Sequence, residues 1–206
     1  MKPIKNPNSK PDTNKKTPKK RLGGRSARIR EAVFQAVLEL LNEKGYDALS
    51  ISEVAKKAEV HETSIYRRWE SKSNLVIQAV MEKSNQEIPI PNTGALRMDL
   101  LELLKYASDY LQSADGNSVI QMAVMTMGNE EMALSKHSFW KEKNVHLSII
   151  FERAVTRGEI HANLDWSLLI ELLLGPLYFR KIMSEKELNE EMITFIVDTA
   201  LHGIEI

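Results

Sequence analysis

Apolar residues recur at helical spacing along most of the chain from residue 26 onward. Ile29, Val33, Val37 and Leu40 mark the buried stripe of a first helix, which Gly45 is placed to end. Further stripes predict helices beginning near residues 50, 61 and 73, and over about 95–113, 119–126, 134–157, 165–183 and 187–202. Because no stretch alternates with the period of two that a half-buried strand requires, the chain is predicted to be all-α.

The segment 49–72 predicts two short helices joined by a tight turn. The first begins at Ser50, because Ser50 and Glu53 have the S-x-x-E spacing of a capping box, in which each side chain satisfies a backbone N–H. The second begins near residue 61. Ile65 and Trp69 are four residues apart in it, share one face and should pack inward.

The outward face of this second helix carries groups that suit nucleic acid. Thr63 and Arg67 lie roughly opposite Ile65, with Ser64 and Tyr66 on the flanks. Short hydroxyls, a phenol and a guanidinium suit phosphate oxygens and base edges in a major groove, which admits one α-helix. The segment is therefore predicted to be a helix-turn-helix whose second helix lies on DNA.

This segment resembles the DNA-binding domain of the TetR family of bacterial transcriptional regulators. The matching residues are Ala55, Ala58, Val60, Ser64, Ile65, Tyr66, Arg67, Arg68, Trp69, Ser71 and Lys72. Glu59 stands where the family usually has a turn Gly, so the turn must accept φ > 0 at a non-Gly residue or take another form. His61 stands where the family often has a capping Ser, which predicts weaker capping.

A weaker resemblance to TetR-family C-terminal domains covers 153–160 and 168–183. The family implies a three-helix DNA-binding domain with a helix-turn-helix, joined by a fourth helix to a helical domain for ligand binding and dimerisation. It also implies a repressor that binds an inverted-repeat operator as a homodimer and is released by a small-molecule effector. The rival interpretation is a helical module that sequesters ligands and has no operator.

Chain punctuation predicts the domain boundaries. Residues 1–24 are polar, Lys-rich and interrupted by Pro, which predicts a disordered basic arm. Residues 25–72 form the DNA-binding domain and 73–87 the linking helix, which Ser71 or Ser73 caps. The run Ile-Pro-Ile-Pro-Asn-Thr-Gly at 88–94 breaks helix and opens the ligand-binding and dimerisation domain, 88–206.

The charge of the chain is unevenly distributed although its net charge is zero. Residues 1–30 hold eleven Lys and Arg against one acid, which leaves a balance of −10 for the rest. A basic end on an acidic body is the asymmetry expected of a nucleic-acid arm on a body that does not bind nucleic acid. The part of the arm before Lys19 is equally well explained as a solubilising tail.

The predicted DNA contacts combine the arm, the helix-turn-helix and the start of the fourth helix. They are Arg25, Arg28, Ser50, Glu62, Thr63, Ser64, Tyr66, Arg67 and Lys72. Glu62 either accepts from cytosine or only complements the helix dipole, and the second interpretation is favoured slightly. Arg68, nearer the inner flank, is expected to pair with an acid.

The body is predicted to hold an apolar effector pocket and a dimer interface. Candidate pocket residues are the aromatic and thioether side chains Met122, Met125, Phe139, Trp140, Phe151 and Tyr178, although such residues at helical spacing are more often packing. Candidate interface residues are Leu168, Leu172, Leu173, Ile193, Ile196 and Val197, because the last two helices carry too many apolar residues for one face. The alternative is that these residues are core of a single protomer.

Composition argues against several other classes of protein. The chain has no Cys, so it has neither a disulfide framework nor a thiolate metal site. His137 and His146 lack a carboxylate at metal-ligand spacing, and we expect no metal and no cofactor. No nucleophile–base pair or phosphate-binding glycine loop indicates an enzyme. No apolar run approaches 18 residues and no signal-peptide core is present, so we expect a cytoplasmic protein without membrane contact.

Overall fold

The computed structural model describes residues 24–125 and 130–203, apart from the side chains of residues 25, 118, 121–125 and 130–136. The helices are α1 (Arg25–Ala48), α2 (Ile51–Lys57), α3 (Glu62–Trp69), α4 (Lys72–Glu87), α5 (Leu96–Gln112), α6 (Ala114–Met125), α7 (Glu130–Arg157), α8 (Trp166–Phe179) and α9 (Glu190–His202). The described ranges contain no β-strand, and the all-α prediction is confirmed.

Several predicted helix ends have the expected chemistry. Gly45 has φ 78° and ψ 175°, so it interrupts α1, and Gly158, also at φ 78°, follows the end of α7. Ser71 Oγ accepts from the backbone N–H of Asn74 at 3.1 Å and caps α4. Asp165 Oδ1 caps α8 in the same way, at 3.0 Å from the Leu168 nitrogen.

The helix predicted over 119–126 begins earlier than expected, because Gly116 lies inside α6 and does not precede it. Ser113 Oγ accepts from the Gly116 N–H at 3.1 Å and caps the first turn. A Cβ on Gly116 would lie 1.9 Å from the carbonyl oxygen of Tyr110. Glycine is therefore needed for the close approach between the end of α5 and the start of α6.

The predicted helix over 165–183 is not α-helical throughout. Pro176 lies inside α8 and has no backbone N–H to donate, and after Phe179 the chain continues as a five-residue π-helical segment, Arg180–Ser184. The last helix begins at Glu190 rather than 187, where Asn189 Oδ1 accepts from the Met192 N–H at 3.0 Å.

Helix α1 forms the centre of the N-terminal domain. Its apolar stripe, including Val33, Val37 and Leu41, is fully buried against α2 and α4. Ile65 and Trp69 bring the inner face of α3 into the same core, and the Trp69 ring lies 5.7 Å from that of Phe34. The predicted inward face of α3 is confirmed by this packing.

Helix α4 joins the two parts of the molecule. It contacts α1 and α3 on one side and α5, α6 and α7 on the other. The segment after it is held by Asp99, which is fully buried on α5 and accepts from the Thr93 backbone N–H at 2.6 Å and from its hydroxyl at 2.7 Å. The Pro-containing break is thus anchored to the body.

Helix α5 lies at the centre of the C-terminal domain and contacts α6, α7, α8 and α9. Four of the residues predicted for the dimer interface are buried within the protomer, which favours the alternative that they are core of a single protomer. They are Leu173, Ile193, Ile196 and Val197. The reason is that α8 and α9 each turn one apolar face inward, against α5 and against each other, before any second copy is considered.

Candidate nucleic-acid interface and body cavity

The turn of the helix-turn-helix is built from backbone hydrogen bonds around Glu59. Glu59 has φ 54°, so a non-Gly residue occupies the left-handed region. The Val60 N–H donates to the carbonyl of Ala55 at 2.9 Å, and the Glu59 N–H donates to that of Lys56 at 3.3 Å. These two bonds form a Schellman motif, which usually takes glycine at the left-handed residue. Glu59, in place of the usual glycine, therefore keeps the ordinary turn and adopts a strained backbone conformation.

Ser50 caps α2 with both halves of the predicted capping box. Its hydroxyl accepts from the Glu53 N–H at 3.3 Å, while Glu53 Oε2 accepts from the Ser50 N–H at 3.3 Å. Hydrogen bonds from Lys44 and from the Ser50 hydroxyl lower the pKa of Glu53 to about 2. The structure thus places Ser50 in an intradomain contact, although we predicted it as a DNA contact.

The outward face of α3 is open to solvent. Thr63 and Arg67 are exposed and Tyr66 is 50% exposed, while Ser64 is half-buried. Glu62 is exposed in the first turn, and the preceding residue, His61, makes no side-chain cap, as the sequence predicted. Hydroxyl, phenol and guanidinium donors therefore project from one side of a helix whose other side is in the core.

Among the described residues Arg68 pairs with no acid, which corrects the sequence-based expectation. Its Nη1 donates to the backbone oxygen of Ser26 at 3.2 Å and to the Ser26 hydroxyl at 3.1 Å. Its guanidinium carbon lies 5.3 Å from the centroid of the Trp69 ring. Arg68 thus joins α3 to the first turn of α1.

Lys72 is directed into the domain. Its Nζ donates to the carbonyl of Leu49 at 2.8 Å and to that of Asp47 at 3.3 Å, and lies 4.3 Å from the centroid of the Tyr46 ring. Partial burial lowers its pKa. Two of its three protons are therefore engaged with backbone carbonyls at the end of α1 and in the link to α2.

The basic residues near the N-terminus are only partly described. Arg28 is exposed on α1. The backbone of Arg25 starts that helix, but its side chain, like the arm before residue 24, lies outside the described residues.

Three of the predicted pocket residues lie together in the body. The rings of Phe139 and Trp140 are 5.1 Å apart edge to face, and those of Trp140 and Tyr178 are 6.1 Å apart. They line a small cavity of about 20 Å³. The side chains of Met122 and Met125 lie outside the described residues.

Phe151 does not line this cavity. It is 1% exposed and belongs to the packed core of α7. The structure therefore favours the packing interpretation for this residue.

A buried lysine, Lys143, also lines the cavity and was missed from the sequence. The sequence did contain a signal for its burial, because Lys143 lies four residues from both Phe139 and Leu147 on the apolar stripe of α7. Burial lowers its pKa to about 8. The described lining of the cavity is thus apolar except for one ammonium group, the Ser84 hydroxyl and the Tyr178 phenol.

The histidines of the body were considered as metal ligands, and the helices as possible membrane spans. Burial, and secondarily the charge of Lys143, lowers the pKa of His146. In the part of the chain that the structure describes, no three His, Asp or Glu side chains are grouped to hold a metal. None of its helices has the length and apolar content of a transbilayer segment.

The remaining interface candidates, Leu168 and Leu172, lie on the outside of α8. They are 62% and 55% exposed, and Phe179, two turns beyond Leu172, is 61% exposed. Gly175 lies on the same stripe, where an added Cβ would meet nothing within 4 Å. Helix α8 therefore has a second apolar face that no part of the described protomer covers.

Known proteins match both parts of the chain. A sequence model described as bacterial regulatory proteins of the tetR family matches residues 33–79, and one described as a tetracyclin repressor-like C-terminal domain matches residues 90–200. The chain is 34% identical over 153 residues to the HTH-type transcriptional regulator AqdR of Rhodococcus erythropolis, across 74% of this chain and 73% of that protein. It is 34% identical over 176 residues to the HTH-type transcriptional regulator Mb1581 of Mycobacterium bovis, across 84% and 86% of the two chains.

A solved structure shares the fold. The TetR family transcription regulator SCO0332 superposes with a TM-score of 0.74 at 23% identity, over 85% of this chain and 98% of that one. This likeness concerns the fold, whereas the sequence matches extend over both the helix-turn-helix and the body. Together with the exposed outward face of α3, they show that the chain belongs to the TetR family of DNA-binding transcriptional regulators.

Proposed function

We propose that this chain is a homodimeric repressor that reads an inverted-repeat operator and leaves it when a largely apolar small molecule binds the body. The observation that carries the proposal is the division of α3 into two faces. Ile65 and Trp69 are buried, while Thr63, Tyr66 and Arg67 are open to solvent. A helix with one polar face free and the other fixed in a core is suited to docking in a major groove.

The proposed DNA contacts have different roles. Arg67 and Tyr66 can reach base edges or phosphates from the middle of α3, and Arg28 can reach a flanking phosphate from α1. Ser50 and Lys72 would support the interface from behind, since their polar groups already bond within the domain. We also propose that Arg25 and the basic arm contact phosphates. Such contacts are salt-dependent and carry little sequence information.

The exposed stripe of α8 supports a dimer. It consists of Leu168, Leu172, Gly175 and Phe179, and Phe195 of α9 is also 71% exposed. Apolar patches of this kind on a soluble chain mark interaction surfaces, and a two-fold axis through the stripe would pair it with its own copy. Such a dimer could present two copies of α3 about 34 Å apart, the repeat of successive major grooves.

Coupling between body and DNA-binding domain is proposed to run through α4 and α6. Arg30 of α1 pairs with Glu82 of α4 at 2.7 Å. Asp115 of α6 accepts from Asn42 of α1 at 3.0 Å and pairs with Lys83 of α4 at 3.3 Å. An effector in the body changes operator affinity only if it binds the two arrangements of these helices with different affinity.

Selection of bound sequences from a random duplex pool tests the proposal. Full-length protein at near-physiological salt should enrich one inverted repeat with half-sites about one helical turn apart. Tyr66→Ala removes an exposed side chain from α3 and should reduce the enrichment without changing the melting temperature. Any loss of enrichment can then be assigned to the lost contact and not to unfolding. If folded wild-type protein enriches no sequence, the ligand-sequestering alternative replaces the repressor.

A further inference from the structure

Lys143 is a charged residue in an apolar place. It is 4% exposed, on the inner face of α7. Its Nζ donates to Ser84 Oγ and to Asn85 Oδ1, each at 3.1 Å, and both acceptors lie on α4. Among the described residues, the rest of the cavity wall around it is aliphatic and aromatic, apart from the phenol of Tyr178.

The ammonium group has no counter-ion among the described residues. The ion pairs of the described chain involve other lysines and arginines, and the pKa of Lys143 is lowered to about 8 by burial alone. The group is still mostly protonated near pH 7. A lysine ammonium has three protons, and the two neutral acceptors on α4 leave one of them without a partner in the described structure. Fully buried lysines are rare unless paired, because desolvation of the charge is unfavourable.

A purely structural role explains these observations less well. A neutral amide or hydroxyl at this position could join α7 to Ser84 and Asn85 without placing a charge in a low-dielectric site. The position of the charge in the cavity wall indicates what it is for, because a ligand anion there would gain an unscreened, charge-assisted hydrogen bond.

An open cleft lies beside the cavity on the side of α8. Glu171 and Gly175 line this cleft of about 310 Å³, so its outer edge borders the exposed stripe of α8. The cleft is also lined by Trp140, Asn144, Leu174 and Tyr178, and all of these except Asn144 line the cavity as well. The edge-to-face pair of Trp140 and Tyr178 therefore stands between the two spaces. The cavity has room for about one water molecule, so a larger ligand must displace some of its lining side chains, and Trp140 and Tyr178 are the ones that also face the cleft.

We infer that the body binds an amphiphile with a single anionic group, such as a carboxylate, which pairs with Lys143 while the apolar part extends past Trp140 and Tyr178 toward the cleft. This inference rests on the proposed function in that it takes the cavity as the effector site. The anion competes with Ser84 and Asn85 for the protons of Nζ. Ligand binding thereby alters a contact of α4, the helix that connects the body to the DNA-binding domain.

The test compares pairs of probes that share an apolar part and carry either an anionic carboxylate or a neutral hydroxyl group. Decanoate and decanol, and 2-naphthoate and 2-naphthol, are titrated into full-length protein near pH 7, with binding followed by calorimetry. Wild-type protein should bind at least one acid about ten-fold or more tightly than its alcohol, the range of a charge-assisted hydrogen bond. Lys143→Met should abolish this preference and Lys143→Arg should retain it. Lys141→Met, which removes an exposed lysine from the same helix, is the charge control and should leave the preference unchanged.

The inference is overturned if wild-type protein binds acid and alcohol equally, if it binds neither, or if the preference survives in Lys143→Met. Should Lys143→Met fail to fold, the wild-type comparison and Lys143→Arg still decide the question. Operator binding of the unliganded protein is measured separately. If the wild-type protein prefers the acid but binds no operator, the repressor is refuted and the anion site is not. If it binds an operator but does not prefer the acid, only the anion site is refuted.

Discussion

Leu172 and Leu173 are neighbours on α8 with opposite surroundings, so replacing each with alanine separates the proposed dimer interface from the protomer core. Leu172 is 55% exposed, whereas Leu173 is 1% exposed. Leu172→Ala should weaken association and leave the protomer folded. Leu173→Ala should destabilise the protomer and leave the interface chemistry intact.

The expected magnitudes follow from the area that each side chain can still bury. Full burial of a leucine is worth roughly 1.5–3 kcal/mol, and about half of this remains available at Leu172. Two-fold symmetry doubles the effect, which gives about 1.5–3 kcal/mol per dimer, or roughly a 10- to 150-fold increase in the dissociation constant. Leu173→Ala should lower the free energy of unfolding by about 2–5 kcal/mol, because it leaves a cavity in the core.

Sedimentation velocity over a concentration series reads the dissociation constant directly, which a denaturation midpoint does not, because a dimer's midpoint depends on protein concentration. Unfolding in denaturant at one fixed concentration then compares Leu173→Ala with wild type. An unchanged dissociation constant for Leu172→Ala would move the interface away from the α8 stripe. A stable, monomeric Leu173→Ala would contradict the assignment of that residue to the core.

Three further changes test the DNA-binding domain. Trp69→Ala should lower the free energy of unfolding of the DNA-binding domain by about 3–5 kcal/mol, since the indole is 2% exposed. An unchanged melting temperature would contradict the assignment of Trp69 to the buried face of α3. Arg67→Ala should leave the melt unchanged and, if Arg67 contacts a phosphate, reduce the slope of log affinity against log salt by about 0.9, measured by fluorescence anisotropy. The pKa of Glu53 is lowered from 4.5 to about 2, so its stabilising contribution is present above pH 4.5 and is lost as pH falls toward about 2. Glu53→Gln should therefore lose less stability than wild type between pH 5 and pH 2.5 in denaturant titrations, and parallel losses would contradict the role of Lys44 and Ser50 in holding the carboxylate.

Local chemistry made much of the N-terminal domain predictable. A capping box is a contact between residues three apart, so Ser50 and Glu53 sufficed to locate the start of α2. The inner face of α3 followed from helical periodicity, because α3 has only one apolar face and only one orientation buries it. Glu59 was expected to strain the turn or change it, and the observed φ of 54° in a Schellman turn is the first of these outcomes.

Long-range contacts decided what sequence patterns left open. Arg68 is bonded to Ser26 and Lys72 to the carbonyl of Leu49, contacts that span 42 and 23 residues and leave no trace in spacing. Lys143 is identifiable as a charge in a cavity only because α4, α5 and α8 close around it.

The sequence by itself determined which segments are helices, where most of them begin, and which face of a simply amphipathic helix such as α3 turns inward. The tertiary structure alone decided which face is covered when a helix has more than one apolar face, as α8 does. The side chains are identical at Leu168, Leu172 and Leu173. Helical periodicity gives only their angular positions around the helix axis relative to one another. Their roles differ because α5, α7 and α9 occupy the space beside Leu173 and leave the other two facing solvent.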